Sequence, residues 1–212
     1  MSNPAFIVDG QMEQLAIQRI CPGRPVRLLG CNGKDVSYEA AAKRASSLIR
    51  LMKNYRPVII IFDRETREDT HEVVAKQLKA EIMKQNINGI EVIIGVPDRM
   101  MENWILSEGE SARNHLGKDV PAGSHQGKNG KSIIKSMTPP EKSYSETEDG
   151  SAMLYKCDSD KISCPSFLAF KVKLKNFPCR WLKNNLLTQQ DDAPEPATNA
   201  HPALPAPPAP AR

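Results

Sequence analysis

The chain has 212 residues, 40% of them hydrophobic, which suffices for one well-buried core and is too mixed for a membrane or fibrous protein. Its formal net charge is +4, and the last twenty residues hold one Glu and one Arg, so the basic excess lies in the part that can fold. Five Cys with no C-x-x-C pair (Cys21, Cys31, Cys157, Cys164 and Cys179) argue against a zinc site or a disulfide framework and predict reduced thiols in a cytoplasmic protein.

Ala5–Val8 reads as a first strand, followed by a helix over Gln11–Ile20. Val26–Cys31 is a second short apolar run. The next helix has Ser37 as N-cap, Glu39 in the first turn, and a stripe of Ala41, Ala45, Leu48 and Met52. Val58–Phe62 is apolar without alternation, the pattern of a strand covered on both faces of a parallel sheet. A helix near 68–85 buries Val74, Leu78 and Ile82, a fourth strand covers Ile90–Val96, and a short helix covers Met100–Ser107. This alternation predicts an α/β domain over residues 1–108 with a mostly parallel four-stranded sheet flanked by helices. Residues 109–187 read as a loop-rich extension packed on that core, with a helical stretch at Ser166–Leu174. Residues 188–212 fall in a Pro/Ala-rich tail that cannot build a core. The N-terminus lacks the pattern of a secretory signal, and no apolar run approaches the roughly 20 residues that span a bilayer.

Two strands end in acids: Ala5-Phe6-Ile7-Val8 in Asp9-Gly10, and Val58–Phe62 in Asp63-Arg64-Glu65. Open α/β sheets bind ligands at the carboxyl ends of their strands, and clustered carboxylates suit a hard cation such as Mg²⁺ or Mn²⁺. Gly10 lets the chain turn off its strand, and Glu13 returns one helical turn later. In an extended segment Asp63 and Glu65 point the same way, and Arg64 either faces elsewhere or contacts a phosphate. Glu102 and Asn103, in the turn after the fourth strand, are oxygen donors that hold or orient a metal. Lys118, His125, Lys128, Lys131 and Lys135 sit among Gly and Ser in a basic loop suited to a polyanion. Gly130-Lys131-Ser132 matches the end of a phosphate-binding loop, but His125 stands where its first Gly belongs and no strand precedes it, so a P-loop is excluded.

An acid plus Gly after one strand and acid-x-acid after a later one resemble the TOPRIM domain of topoisomerases, primases and overcoming-lysogenization-defect nucleases. Asp9-Gly10-Gln11-Met12-Glu13 resembles the E-G-x-x-E start of a bacterial TOPRIM-like family encoded beside ABC-type or AAA ATPases in defence loci. Glu102-Asn103-Trp104-Ile105-Leu106 resembles its E-x-W-L-L segment. Tyr144…Asp149-Gly150 and Cys164-Pro165-Ser166-Phe167…Phe170 resemble its Y…D-G…C-P-S-F…F pattern, so the resemblance spans about 5–176. It implies a TOPRIM-like fold and a Mg²⁺- or Mn²⁺-dependent nuclease acting on DNA or RNA. Asp9, Asp63 and Glu65 would be catalytic metal ligands, with Glu13 and Glu102 as secondary ligands or a general base. Arg64, Arg99, Lys128 and Lys131 would contact nucleic acid. It also implies an ABC/AAA-type ATPase partner and a phage-protein trigger. The chain departs from the family at Asp9, where Glu is usual, and at Glu65, where Asp is usual. Those swaps support a rival expectation, a catalytically silent binding or sensor subunit. A phosphoesterase or nucleotidyl transferase acting on a small substrate is a third.

Overall fold

The computed structural model describes residues 3–31, 36–87 and 89–174. Four strands form within them: β1 (Ala5–Val8), β2 (Val26–Leu28), β3 (Val58–Ile61) and β4 (Val92–Gly95). All pair in parallel, in the order β2-β1-β3-β4. Val8 is level with Leu28 and Ile61, and Ile61 with Gly95, so the strands end along one rim. The fold is thus the expected α/β class, a parallel four-stranded sheet flanked by helices, and it is consistent with a TOPRIM-like domain.

The period of two along each strand splits the apolar side chains between two faces. Ala5, Ile7, Val58, Ile60, Val92 and Ile94 join a cluster covered by α2 (Tyr38–Leu51) and α3 (His71–Met83). Phe6, Val8, Ile59, Ile61 and Ile93 join the other, beneath α1 (Gln11–Ile20), α4 (Glu102–Glu108), α7 (Ser151–Lys156) and α8 (Pro165–Lys173). Burying each such Val, Ile or Phe contributes about 1.5–3 kcal/mol relative to exposure, which is why the strand runs need no polar alternation. The helix starts are capped as their residues suggest. Ser37 Oγ accepts from the Ala40 N–H at 3.2 Å, and Thr70 Oγ1 from the Val73 N–H at 3.4 Å. In α2 the buried stripe runs through Ala41, Ala45 and Ile49, whereas Leu48 is only half-buried.

Beyond α4 the chain has more structure than its composition suggests. The stretch read as loop contains α5 (Glu110–Leu116), α6 (Gly130–Met137) and a π-turn at Glu146–Gly150 leading into α7. α6 is held by an Asn129 cap and two buried side chains, Ile134 and Met137, too few to make a periodic signal. α8 docks through its aromatic residues. Trp104 lies 5.0 Å edge-on from Phe167 and 5.6 Å stacked on Phe170, and its Nε1 donates to Ser166 Oγ at 2.8 Å. The E-x-W and C-P-S-F segments therefore meet as one packing unit rather than as chemistry.

Cys21 is disulfide-bonded, which corrects the expectation of reduced thiols throughout, whereas Cys31, Cys157 and Cys164 are free. No helix among the described residues is long and apolar enough to cross a membrane. The Pro/Ala-rich tail lies outside the described residues.

Candidate functional site

β1 and β3 are neighbours, yet the helix after β1 lies on one face of the sheet and the helix after β3 on the other. Such a switch point opens a crevice at the carboxyl rim. A cavity of about 780 Å³ lies there, and Asp9, Glu13, Asp63, Glu65 and Glu102 all line it. Residues from three separate strand ends thus reach one space.

Its carboxylates are poorly solvated. Asp9 Oδ1, Glu13 Oε2 and Asp63 Oδ1 are buried with no hydrogen-bond partner. Burial raises the Asp9 carboxyl, an effect opposed by the Arg67 guanidinium and by the Asp63 backbone amide. Burial, then Glu102 and Asp9, push Glu13 up to about 7. Burial raises Asp63 well above the usual carboxylate range, with Glu13, Asp9, Glu102 and Glu65 adding to it. Glu102, only 4% exposed, is raised mainly by burial and further by Glu146, whereas Lys131 and the Tyr144 hydroxyl oppose the shift. Buried polar atoms normally find partners, so three orphaned anionic oxygens around one cavity fit a cation with oxygen ligands. Among the described residues, however, no group of three His, Cys, Asp or Glu is arranged to hold a metal ion as it stands. The acids raise one another, offset only in part by Arg67 near Asp9 and Lys131 near Glu102, and they share a cavity without closing on a single point.

Two local arguments from sequence are corrected. Gly10 has extended backbone (φ −122°, ψ 171°) that any residue adopts. Its value is space, because a Cβ there would stand 2.6 Å from Glu13 Oε2. Glu65 does not follow strand alternation from Asp63. It sits in a turn at φ 57°, a left-handed conformation rare for a residue with a Cβ. Its N–H donates to the Arg99 carbonyl at 2.8 Å, and Arg99 Nε donates to the Glu65 carbonyl at 3.1 Å. Such conformations cost about 1–3 kcal/mol and persist where their surroundings impose them.

The basic residues fall into two groups. Arg64 pairs with Asp98 Oδ1 at 3.3 Å and donates to the Asp98 and Arg67 carbonyls, and it does not line the cavity. Arg99 braces Glu65 and donates to the Gly127 carbonyl at 3.2 Å. Both act as struts here, and the exposed Lys128 also lies off the cavity wall. Lys131 does line the cavity and forms an ion pair with Glu146. Asn103 is committed as well. Its Nδ2 donates to the carbonyls of His125 (2.9 Å) and Lys128 (3.2 Å), tying the basic loop to α4. Asp98 is not the cap of α4, because its Oδ2 accepts from the Gly127 N–H.

Three contributors escaped the sequence reading. The Tyr144 hydroxyl donates to Glu102 Oε1 at 3.3 Å, and Glu146 lines the cavity from the π-turn. Arg67 lies 4.8 Å over the Phe62 ring and donates to the Asp63 carbonyl at 3.3 Å. Tyr144 belongs to the Y…D-G segment already singled out; Arg67 and Glu146 sit in charged turns with no periodic signal. Compared with known proteins, the chain matches no family model, no curated protein and no solved structure. Fold and cavity therefore define the class by themselves: an α/β protein with an acidic, desolvated crevice at its sheet's switch point.

Proposed function

We propose that this chain is a Mg²⁺- or Mn²⁺-dependent nuclease acting on DNA or RNA, the effector subunit of an ATPase-partnered anti-phage system. The observation carrying the metal-dependent reading is the set of unpartnered, buried oxygens on Asp9, Glu13 and Asp63 around one cavity. Asp9, Asp63 and Glu65 would hold the cation. A bound divalent cation supplies positive charge to a phosphate and makes water a better nucleophile near neutral pH. Glu13, pushed up to about 7, is suited to accept a proton at neutral pH. Tyr144 fixes the Glu102 carboxyl through its hydroxyl. Lys131, which lines the same cavity beside Glu102, offers its ammonium to the phosphate. The ABC/AAA-type ATPase partner, the phage-protein trigger and a cytoplasmic setting rest on the family resemblance.

The test is nicking of plasmid and cleavage of tRNA with Mg²⁺ or Mn²⁺. Undiminished cleavage by an Asp63→Ala, Glu65→Ala double variant would overturn the assignment of this cavity. Coexpression with any ABC- or AAA-type ATPase encoded beside the chain, read out by native mass, tests the partnership.

A second reading, a silent binding or sensor subunit, is favoured by two observations: the absence of a ready-made three-residue metal group among the described residues, and Asp9 and Glu65 standing where the family has the other acid. Calorimetry that finds no Mg²⁺ or Mn²⁺ binding alongside a stable ATPase complex would decide for it.

A further inference from the structure

We propose that a second cavity, lined by His125 and Asn103, takes a single unstacked nucleobase, that of the nucleotide next to the phosphate at the acidic cavity. The proposal rests on the nuclease reading for that phosphate, and beyond it assigns a base-binding pocket.

The second cavity measures about 320 Å³, at the lower end of the roughly 300–1,000 Å³ usual for small-ligand sites. Leu106, Val120, Pro121 and Pro165 give it apolar walls. The loop that carries His125 is tied down on α4 and beside it. The His125 carbonyl accepts from Asn103 Nδ2 at 2.9 Å and from the Lys128 N–H at 3.2 Å, and Asp98 Oδ2 accepts from the Gly127 N–H. The pocket is therefore formed before any ligand arrives.

One polar group in this wall lacks a partner. His125 is 8% exposed, and its Nδ1 is buried with no hydrogen-bond partner. Burial, then Lys128, lower the imidazole below its ordinary range, so the ring is neutral at pH 7. The Pro121 carbonyl takes a hydrogen bond from the ring, which leaves Nδ1 as the bare acceptor. Such a nitrogen calls for an N–H or O–H donor. A soft cation would also suit it, but among the described residues no three His, Cys, Asp or Glu are arranged around a metal. Nor is an ion called for by the rest of the wall. Asp98 is already paired with Arg64, and Asn103 Nδ2 is spent on two loop carbonyls. Ser124 Oγ accepts from the Gln126 N–H at 3.2 Å, and its hydroxyl hydrogen is left to donate. Apolar walls, an acceptor and a donor together fit a flat, uncharged ring with polar edges, which is the chemistry of a nucleobase.

Two adjacencies join this pocket to the acidic cavity. Glu102 lines the acidic cavity, and the next residue, Asn103, lines the second. The loop that supplies His125 and Gln126 to the second runs on to Asn129 and Lys131 in the wall of the first. A strand with its phosphate among the acids thus has a neighbouring base within reach of His125. Single strands are read in this way, by bases splayed out and hydrogen-bonded on their edges.

The full chain is titrated in EDTA with uracil and adenine methylated at their sugar-bearing nitrogens, read by calorimetry. Controls are the same bases with every remaining N–H methylated. At least one capped base should bind, and its fully methylated control should bind at least about two-fold more weakly. In protein labelled with ¹⁵N-histidine, the bound base should move the His125 Nδ1 resonance upfield. His125→Leu should weaken the bound base about two- to ten-fold, the scale of one net hydrogen bond. A fluorescein-labelled oligouridylate, read by anisotropy in EDTA, should weaken by a similar factor. Binding of neither capped base, equal binding of the methylated controls, or an unmoved His125 resonance would overturn the proposal. Weakened bases with an unchanged oligouridylate would overturn the pocket's place beside the phosphate. Mn²⁺ binding by electron paramagnetic resonance on the same samples separates the two claims. If Mn²⁺ binds and the bases do not, the base pocket falls alone; if the bases bind and Mn²⁺ does not, the nuclease reading falls.

Discussion

Replacing Glu13 by Gln should stabilise the metal-free protein, increasingly as pH rises from about 4.5 to about 7 and fully above it. Burial and the neighbouring Glu102 and Asp9 raise Glu13 from 4.5 to about 7. The folded chain therefore keeps this proton up to about pH 7, and the unfolded chain loses it near 4.5. Between those values the folded state binds more protons, so stability falls as pH rises through the window, and the loss is complete above it. At about 1.4 kcal/mol per pH unit, the gap corresponds to roughly 3 kcal/mol. Gln has the same shape and never ionises, and its amide offers a donor where Glu13 Oε2 has no partner. Thermal melts in EDTA should show the variant melting roughly 5–10 °C above wild type near pH 8, with the two nearly equal near pH 4. Mn²⁺ added at the higher pH should narrow the gap, because a cation holds the ionised carboxylates it binds. A difference independent of pH, or a less stable variant at pH 8, would refute the picture of a protonated, desolvated Glu13.

Other outcomes follow from the same geometry. Gly10→Ala should leave the fold intact, because the group it strikes is the end of the Glu13 side chain at 2.6 Å. It should weaken Mn²⁺ binding about ten-fold, the scale of disturbing a ligand's support, as read by electron paramagnetic resonance. Ser166→Ala removes the acceptor of the buried Trp104 Nε1–H and should cost about 1–3 kcal/mol in urea melts. Gly95→Ala would place a methyl 2.6 Å from the Phe170 ring and should cost about 1–3 kcal/mol by overpacking, part of which a smaller residue at Phe170 should restore.

The parts legible in the sequence are those encoded by local periodicity. β1 and α1 fall at Ala5–Val8 and Gln11–Ile20 as read, because an uninterrupted apolar run changes to a helical stripe across one glycine. The acids at the strand ends were legible for the same reason, since sheet topology sends every carboxyl end to one rim. What stayed hidden depends on contacts distant in the chain. α6 and α7 are short: α6 has its Asn129 cap, α7 has no side-chain cap, and both rest on a few buried side chains such as Ile134 and Met153. Glu65 reaches the cavity through a positive φ imposed by Arg99, which no two-residue alternation encodes. Arg64 and Arg99 look like phosphate contacts until Asp98 and Glu65 are found beside them. The pairing of Glu146 with Lys131 follows only once the π-turn has been brought to the start of α6.

The most direct measurement is anomalous X-ray diffraction from a crystal soaked in Mn²⁺ at a pH above the Glu13 titration. The account predicts a single strong peak within bonding distance of Asp9 and Asp63 oxygens, with the carboxylates drawn inward relative to the metal-free form. A fully loaded crystal with no manganese peak between those two strand ends would contradict it.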